Sequence, residues 1–340
     1  MNFKKIIFLL VFLSLQNINA QNTEYLLALS KGDKKVLIYD YKTLDSITSI
    51  DIGDDPHEIV TNKKGDYAYV SHPVLRGKGH TISVINLKDF ALEDTIDTAP
   101  FYTPHGLVYK DDKLWVTAQG SKSVVKYNLQ SRKAENVFGT GQDFTHLIYL
   151  AKKGNCFYTT NVESGTLSIY ENREIPPYMP PTGVLPPNAK SRIEWRQTLI
   201  DVGLGAEGFD VNDREDILWT ARPDGYIVVV DLLKKEVKTT INTGVQGLHR
   251  LKFTPDGKSV AIVSVKTGDI LFYNAETYSL EKKINIGRGA GIYMDNATSR
   301  MFVSCTPEDY IVVMDLKTRK EIKRIKISRP DGVTSVKVAN

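Results

Sequence analysis

Cysteine is almost missing: Cys156 and Cys305 are the only two in 340 residues. No dense disulfide framework can hold such a chain, so its stability has to come from apolar packing. Beyond the first twenty residues there is no run of about 18 apolar residues, so a membrane-spanning helix is not expected there. Neither sign of charge dominates. Lys and Arg number 44 against 40 Asp and Glu, and removing Lys4 and Lys5 leaves 42 against 40, a net of +2. A protein that neutralises many phosphates carries a clustered basic excess, so nucleic acid is not an expected partner. The chain also lacks a G-x-S-x-G nucleophile turn, a C-x-x-C-H haem attachment, a Walker loop and a dinucleotide phrase. No amphipathic helix of useful length appears after residue 20.

The first twenty residues have a pattern of their own. MNFKK is basic, IIFLLVFLSL is apolar, and QNINA ends on a small residue. This predicts a signal peptide over residues 1–20, cut after Ala20, and a mature chain starting near Gln21 that is periplasmic or secreted. The apolar run is too short for a permanent membrane span. The lack of a cysteine near the cut speaks against a lipid anchor.

The rest of the chain repeats itself. Seven phrases align: VLIYD (36–40), ISVIN (82–86), VVKYN (124–128), LSIYE (167–171), IVVVD (227–231), ILFYN (270–274) and IVVMD (311–315), with starts 46, 42, 43, 60, 43 and 41 residues apart. Ahead of each stands a second apolar strand, such as YAYVS, LWVTA or MFVSC, joined to it by a turn rich in Gly, Asp, Ser and Lys. After each comes a more polar strand that alternates, as one half exposed to water does. Four short strands at a period of about 40 to 45 residues predict a β-propeller blade. The expected fold is therefore all-β: seven four-stranded antiparallel blades, forming one domain over residues 21–340. The C-terminal SRPDGVTSVKVAN supplies only an opening strand and the N-terminal segment lacks one, so the two should pair and close the ring.

YVSHPV, WVTAQGSKSVVKYNL, YTTNVESGTLSIY and FTPDGK, with P-H-G or P-H-E ahead of them, resemble the YVTN-type propeller repeat over essentially all of residues 22–340. The resemblance implies a propeller. It does not fix an activity, because similar propellers serve as binding proteins, surface-layer components, amine dehydrogenase subunits and catalytic domains. One unit departs from the repeat: residues 171–195 carry about 17 extra residues and six prolines. This is an extended excursion from the turn between third and fourth strands, either a decorated loop or a partner-docking arm. Cys156 and Cys305 fall on the second strands of the third and sixth units, too far apart to bridge, so two buried free thiols are expected. Trp115 and Trp219 share one second-strand position and read as packing between blades. Trp195 is placed to pin the excursion.

About 20 residues before each phrase, at the start of the innermost strand, stand His57, His105, His146, Glu207, His249, then Ala290 or Gly291, and Asp331. Four of the six histidines therefore share one slot facing the upper end of the channel. Two readings follow. The slot can be a copied structural feature in which the imidazole bonds a neighbouring blade. Alternatively His57, His105 and His146 form one face of a divalent-metal site, with His249 and Glu207 as acid/base groups. The turn SHPVLRGKGH brings His72, Arg76, Lys78 and His80 toward the same face. Arg222, Lys266, Arg288 and Arg329 lie in other turns there, a basic rim suited to a small anionic ligand, with Asp331 beside them. The function expected is an exported binding or scaffold protein with a small-ligand or protein site at the upper mouth. The alternative is a metal-dependent lyase or hydrolase acting on a small anionic or sugar-acid substrate, as some propeller families that use histidine-held metals imply by resemblance.

Overall fold

The computed structural model describes residues 23–74 and 78–339. The leader and Arg76 lie outside the described residues. Seven four-stranded antiparallel sheets follow one another around an axis, and the only helical segments described are two 3₁₀ turns, Gln119–Ser121 and Thr306–Glu308. Blades are numbered here from the one holding ISVIN. Their innermost strands are Ile59–Thr61, Pro104–Lys110, Thr145–Leu150, Phe209–Val211, Leu248–Phe253, Gly291–Asp295 and Pro330–Val338.

Blade seven closes the ring as the sequence predicts. Pro330–Val338 lies antiparallel to Thr23–Ser30, from Thr23 opposite Val338 to Ser30 opposite Pro330. Both faces of each sheet are buried because the apolar clusters form between blades. Leu27, Leu29, Val36 and Ile38 of blade seven pack with Ile59, Ala68, Val70 and Ile85 of blade one. The second strands are therefore buried almost end to end, whereas outer strands such as Ser46–Asp51 are mostly exposed and bury a single residue, Ile50.

Polar groups fix how the inner strands meet. At every slot position the backbone carbonyl accepts a hydrogen bond from the preceding blade. Ser71 Oγ donates to His105 O (2.8 Å), Thr117 to His146 O, Thr160 to Glu207 O (2.8 Å) and Ser304 to Asp331 O. The amides of Gly208 and Gly332 serve His249 O and His57 O at 3.0 and 3.1 Å, and His249 Nδ1 donates to Ala290 O at 2.9 Å. The four hydroxyls are all buried. The Ser or Thr of the strand signature is thus the group that ties one blade to the next. The glycine after the slot has its own reason: a Cβ on Gly208 would stand 2.2 Å from His249 O, and one on Gly332 would stand 2.7 Å from His57 O.

Six blades carry a β-bulge between third and outer strands, which bends the outer strand away. Blade three has none. There Thr166–Ile175 and Arg192–Asp201 run on as a straight hairpin, paired out to Ile175 opposite Arg192. Trp195 pins it against Phe138 and Phe157, ring centroids 5.1 and 5.5 Å away. Trp115 and Trp219 are both buried. Both cysteines are free and Cys305 is buried, but Cys156 is only half-buried, because it opens its strand at the lower edge of the blade. Burial nonetheless pushes its thiol up to about 11.

Two outcomes are expected. Thr117→Val removes a buried donor and leaves a carbonyl unpaired, so chemical denaturation should show a loss of about 1–3 kcal/mol; an unchanged midpoint would remove the tie from the account. Deleting residues 328–340 should abolish the cooperative unfolding transition of the whole protein, and a truncated chain melting near the full-length temperature would contradict closure.

Candidate functional site

The slot residues do converge, and they form a chain around the upper mouth. Lys31, in the turn after Thr23–Ser30, reaches Asp331 at 2.5 Å and His57 Nδ1 at 2.5 Å. The ring of His57 faces that of His105 (centroids 4.1 Å apart), and His105 faces His146 (3.8 Å). Glu207 Oε1 stands 2.7 Å from His146 Nε2 and 3.0 Å from His249 Nε2. The Nδ1 of His249 ends the chain on the Ala290 carbonyl. Blade six contributes no side chain larger than a methyl.

Burial divides this ring. His105 is fully buried and His146 nearly so, while the side chains of Glu207 and His249 retain 21% and 22% of their exposure. The buried sector is under-partnered. Both ring nitrogens of His105 lack a hydrogen-bond partner, whereas His146 Nε2 has the Glu207 carboxylate at 2.7 Å. On its other side His146 Nδ1 meets the Gln119 amide, and Phe144 stacks on the ring at 5.3 Å.

These surroundings set the charges. Burial, aided by the neighbouring His146 and His57, drives the His105 imidazole well below its ordinary value. Burial lowers His146 to about 4 even though Glu207 pulls the other way. Both rings are neutral at pH 7. Burial alone would raise Glu207, but the flanking His249 and His146 reverse this and hold it well below the carboxylate range. Asp331 follows the same pattern, with His57 and Lys31 outweighing burial.

As they stand, His57, His105 and His146 are not a ligand set. Their rings pack against one another with planes tilted by 57° and 39°, and His57 Nδ1 is occupied by Lys31. Among the described residues no group of three or more His, Cys, Asp or Glu is arranged to hold a metal.

The proposed rim is less basic than its composition suggests. Arg222 is neutralised by Asp224 and Arg288 by Glu308, and the backbone amide of Arg329 donates to Asp309, leaving its side chain and Lys266 exposed. His72 faces inward instead of toward a ligand: it is buried, with Nδ1 against Asp54 O and Nε2 against Ser83 Oγ at 2.9 and 2.8 Å. His80 pairs with Asp97 at 2.9 Å on the surface. Lys78 lies over the Tyr102 ring.

Sequence reasoning missed Lys31, Gln119, Glu58 and Arg250. The last two directly follow slot residues in PHEIV and GLHRLKF, and Arg250 donates from Nη2 to Glu58 across the channel at 2.8 Å. A charged residue in a strand otherwise apolar at that position was the available signal.

No protein-family model matches the sequence, and no curated protein matches it. Solved structures match the fold. A putative 6-phosphogluconolactonase from Bacteroides uniformis superposes with TM-score 0.71 at 13% identity, covering 93% of this chain and 99% of that one. A protein of the same description from Bacteroides fragilis gives 0.70 at 13%, covering 92% and 98%. Hydrazine synthase from Kuenenia stuttgartiensis gives 0.65 at 12%, covering 84% and 96%. Together with the seven sheets, these define the chain as a seven-bladed β-propeller.

Unfolded imidazoles titrate near about 6.5, whereas His105 and His146 take a proton in the folded state only at lower pH. Unfolding therefore binds protons below about 6.5, and stability falls as pH drops from there toward about 4. Urea unfolding at pH 5 should show a loss of about 2 kcal/mol from His146 relative to pH 7, with His105 adding a loss in the same direction. His105→Leu should keep the pH 7 midpoint and lose its share of the pH dependence. Equal midpoints at both pH values for the parent protein would refute this assignment.

Proposed function

We propose that this chain is an exported propeller of the YVTN-repeat type whose upper mouth is a binding site for a small polar ligand. The observation that carries the reading is the pair of buried, unpartnered imidazole nitrogens on His105, in one ring with the partly exposed Glu207 and His249. Buried polar atoms without partners are rare in folded proteins and cluster where something else completes them. The leader-like first twenty residues support export, and the propeller scaffold supports rigid presentation of a site at one end of the axis.

A second reading has one observation in its favour. A carboxylate between two imidazoles is an acid/base arrangement, so an enzyme acting on a small anionic or sugar-acid substrate is the alternative, and two of the structural neighbours bear a lactonase name. A metal enters this reading only if the three imidazoles turn their nitrogens toward one centre.

Thermal denaturation of the purified protein against glycerol, D-glucose, D-glycerate and D-gluconate tests the binding reading. A ligand of the mouth should raise the melting temperature in a concentration-dependent way, and Glu207→Gln with His249→Gln should remove the rise. No rise with any of these compounds would reject it. Metal analysis after exhaustive dialysis separates the readings further: stoichiometric metal, lost on substituting His57, His105 and His146 with alanine, would favour a metal centre over the ligand site.

A further inference from the structure

Next to the ring, residues of all seven blades line a cavity of about 170 Å³. Its charged lining is Glu58, Asp210, Arg250, Lys252 and Asp331. Each carboxylate has a cation: Glu58 takes Arg250 at 2.8 Å, Asp210 takes Lys252 at 3.2 Å, and Asp331 takes Lys31 at 2.5 Å. Arg250 is not used up in return. It is 8% exposed, one of its donors serves Glu58, and its Nε–H has no partner. A guanidinium presents its donors as a planar fork suited to a carboxylate. Here that fork is buried on the wall of a cavity with an edge unfilled.

The ring above is closed on one side and open on the other. His57, His105 and His146 pack ring against ring and are buried over blades one to three. Over blades four to six the groups are Glu207 and His249, both partly exposed, and then Ala290 and Gly291, which leave the slot without a bulky side chain. His249 immediately precedes Arg250 on one strand, so the hydrogen-bonding pair and the carboxylate-binding fork come from neighbouring residues of the inner wall.

We infer that the channel takes a short hydroxycarboxylate, its carboxylate on the free edge of Arg250 and its hydroxyl between Glu207 and His249. A cavity of this size suits a molecule of about six or seven non-hydrogen atoms, since one of ~150 Å³ admits benzene. Glu207 accepts from the hydroxyl, and the Arg250 guanidinium, which spends one donor on Glu58, meets the carboxylate with the rest of its fork. This inference rests on the reading of the upper mouth as a binding site and adds the ligand class.

Isothermal titration of the purified protein with D-glycerate and with its neutral counterpart glycerol tests it. D-glycerate should bind with one-to-one stoichiometry, and glycerol at least about tenfold more weakly, because it lacks the charge-assisted hydrogen bonds to the fork. The double variant Glu58→Gln/Arg250→Gln, which keeps a polar pair without leaving a lone buried charge, should lose the preference for the acid. Arg250→Lys retains the charge without the fork and should lose most of the preference as well; it stands in if the double variant does not fold. Ala290→Leu, which fills the open slot, should weaken D-glycerate at least about tenfold by blocking the sector. No binding of D-glycerate, equal binding of glycerol, or an undiminished preference in the folded Arg250 variants overturns the inference. If glycerol binds as well as the acid and Ala290→Leu abolishes both, the mouth remains a binding site and the carboxylate assignment alone falls.

Discussion

The structure depends on one interaction repeated seven times: the carbonyl of each slot residue is held by a donor from the blade before it. Ser71, Thr117, Thr160 and Ser304 supply hydroxyls, Gly208 and Gly332 supply amides, and His249 supplies its ring. Apolar packing between blades is strong but non-directional, and it would tolerate sheets sliding by a fraction of a residue. A buried carbonyl left unpaired is costly, so the hydrogen bonds set the register that packing leaves open. Because these bonds act on the slot backbone, the same contacts that assemble the ring also aim its side chains into the channel.

That arrangement puts four imidazoles and two carboxylates from six separate blades within a narrow space. The electrostatic result is a set of local compensations. Lys31 answers Asp331, Arg250 answers Glu58, and Glu207 lies between His146 and His249. His105 is the exception: it is fully buried with neither nitrogen paired, and it stays neutral because desolvation penalises the charged form and its basic neighbours add to that penalty. A position with that much unmet polarity is weak as a structural element, and this is the physical basis for reading the mouth as a place built for a further molecule.

The fold was largely legible in the sequence because a propeller writes its period into the chain. The phrases from VLIYD to IVVMD, the missing first strand at one end and the spare strand at the other sufficed to count blades and place the seam. The slot was legible for the same reason. What escaped was lateral. Lys31 enters the ring from a turn that carries no repeat signature, and Arg250 reaches Glu58 across an interval of 192 residues that no periodicity records. His72 shows the converse error. It lies in a turn that reads as part of the upper face, yet it ends a strand whose last five residues are all buried, and Ser83 and the Asp54 carbonyl satisfy it inside the blade. The rim arginines were misjudged because Asp224 and Glu308, each supplied by a nearby turn, cancel two of them.

The seam has a temporal side. Thr23 lies opposite Val338, so the earliest described strand, paired locally with Lys35–Asp40, lacks its second neighbour until residues 330–338 have been synthesised. Such distant pairing makes for slow maturation, and throughout that interval Thr23–Ser30 presents an unpaired apolar edge of the kind that recruits strands from other molecules. The nascent chain would gain from whatever keeps it solitary until its tail arrives.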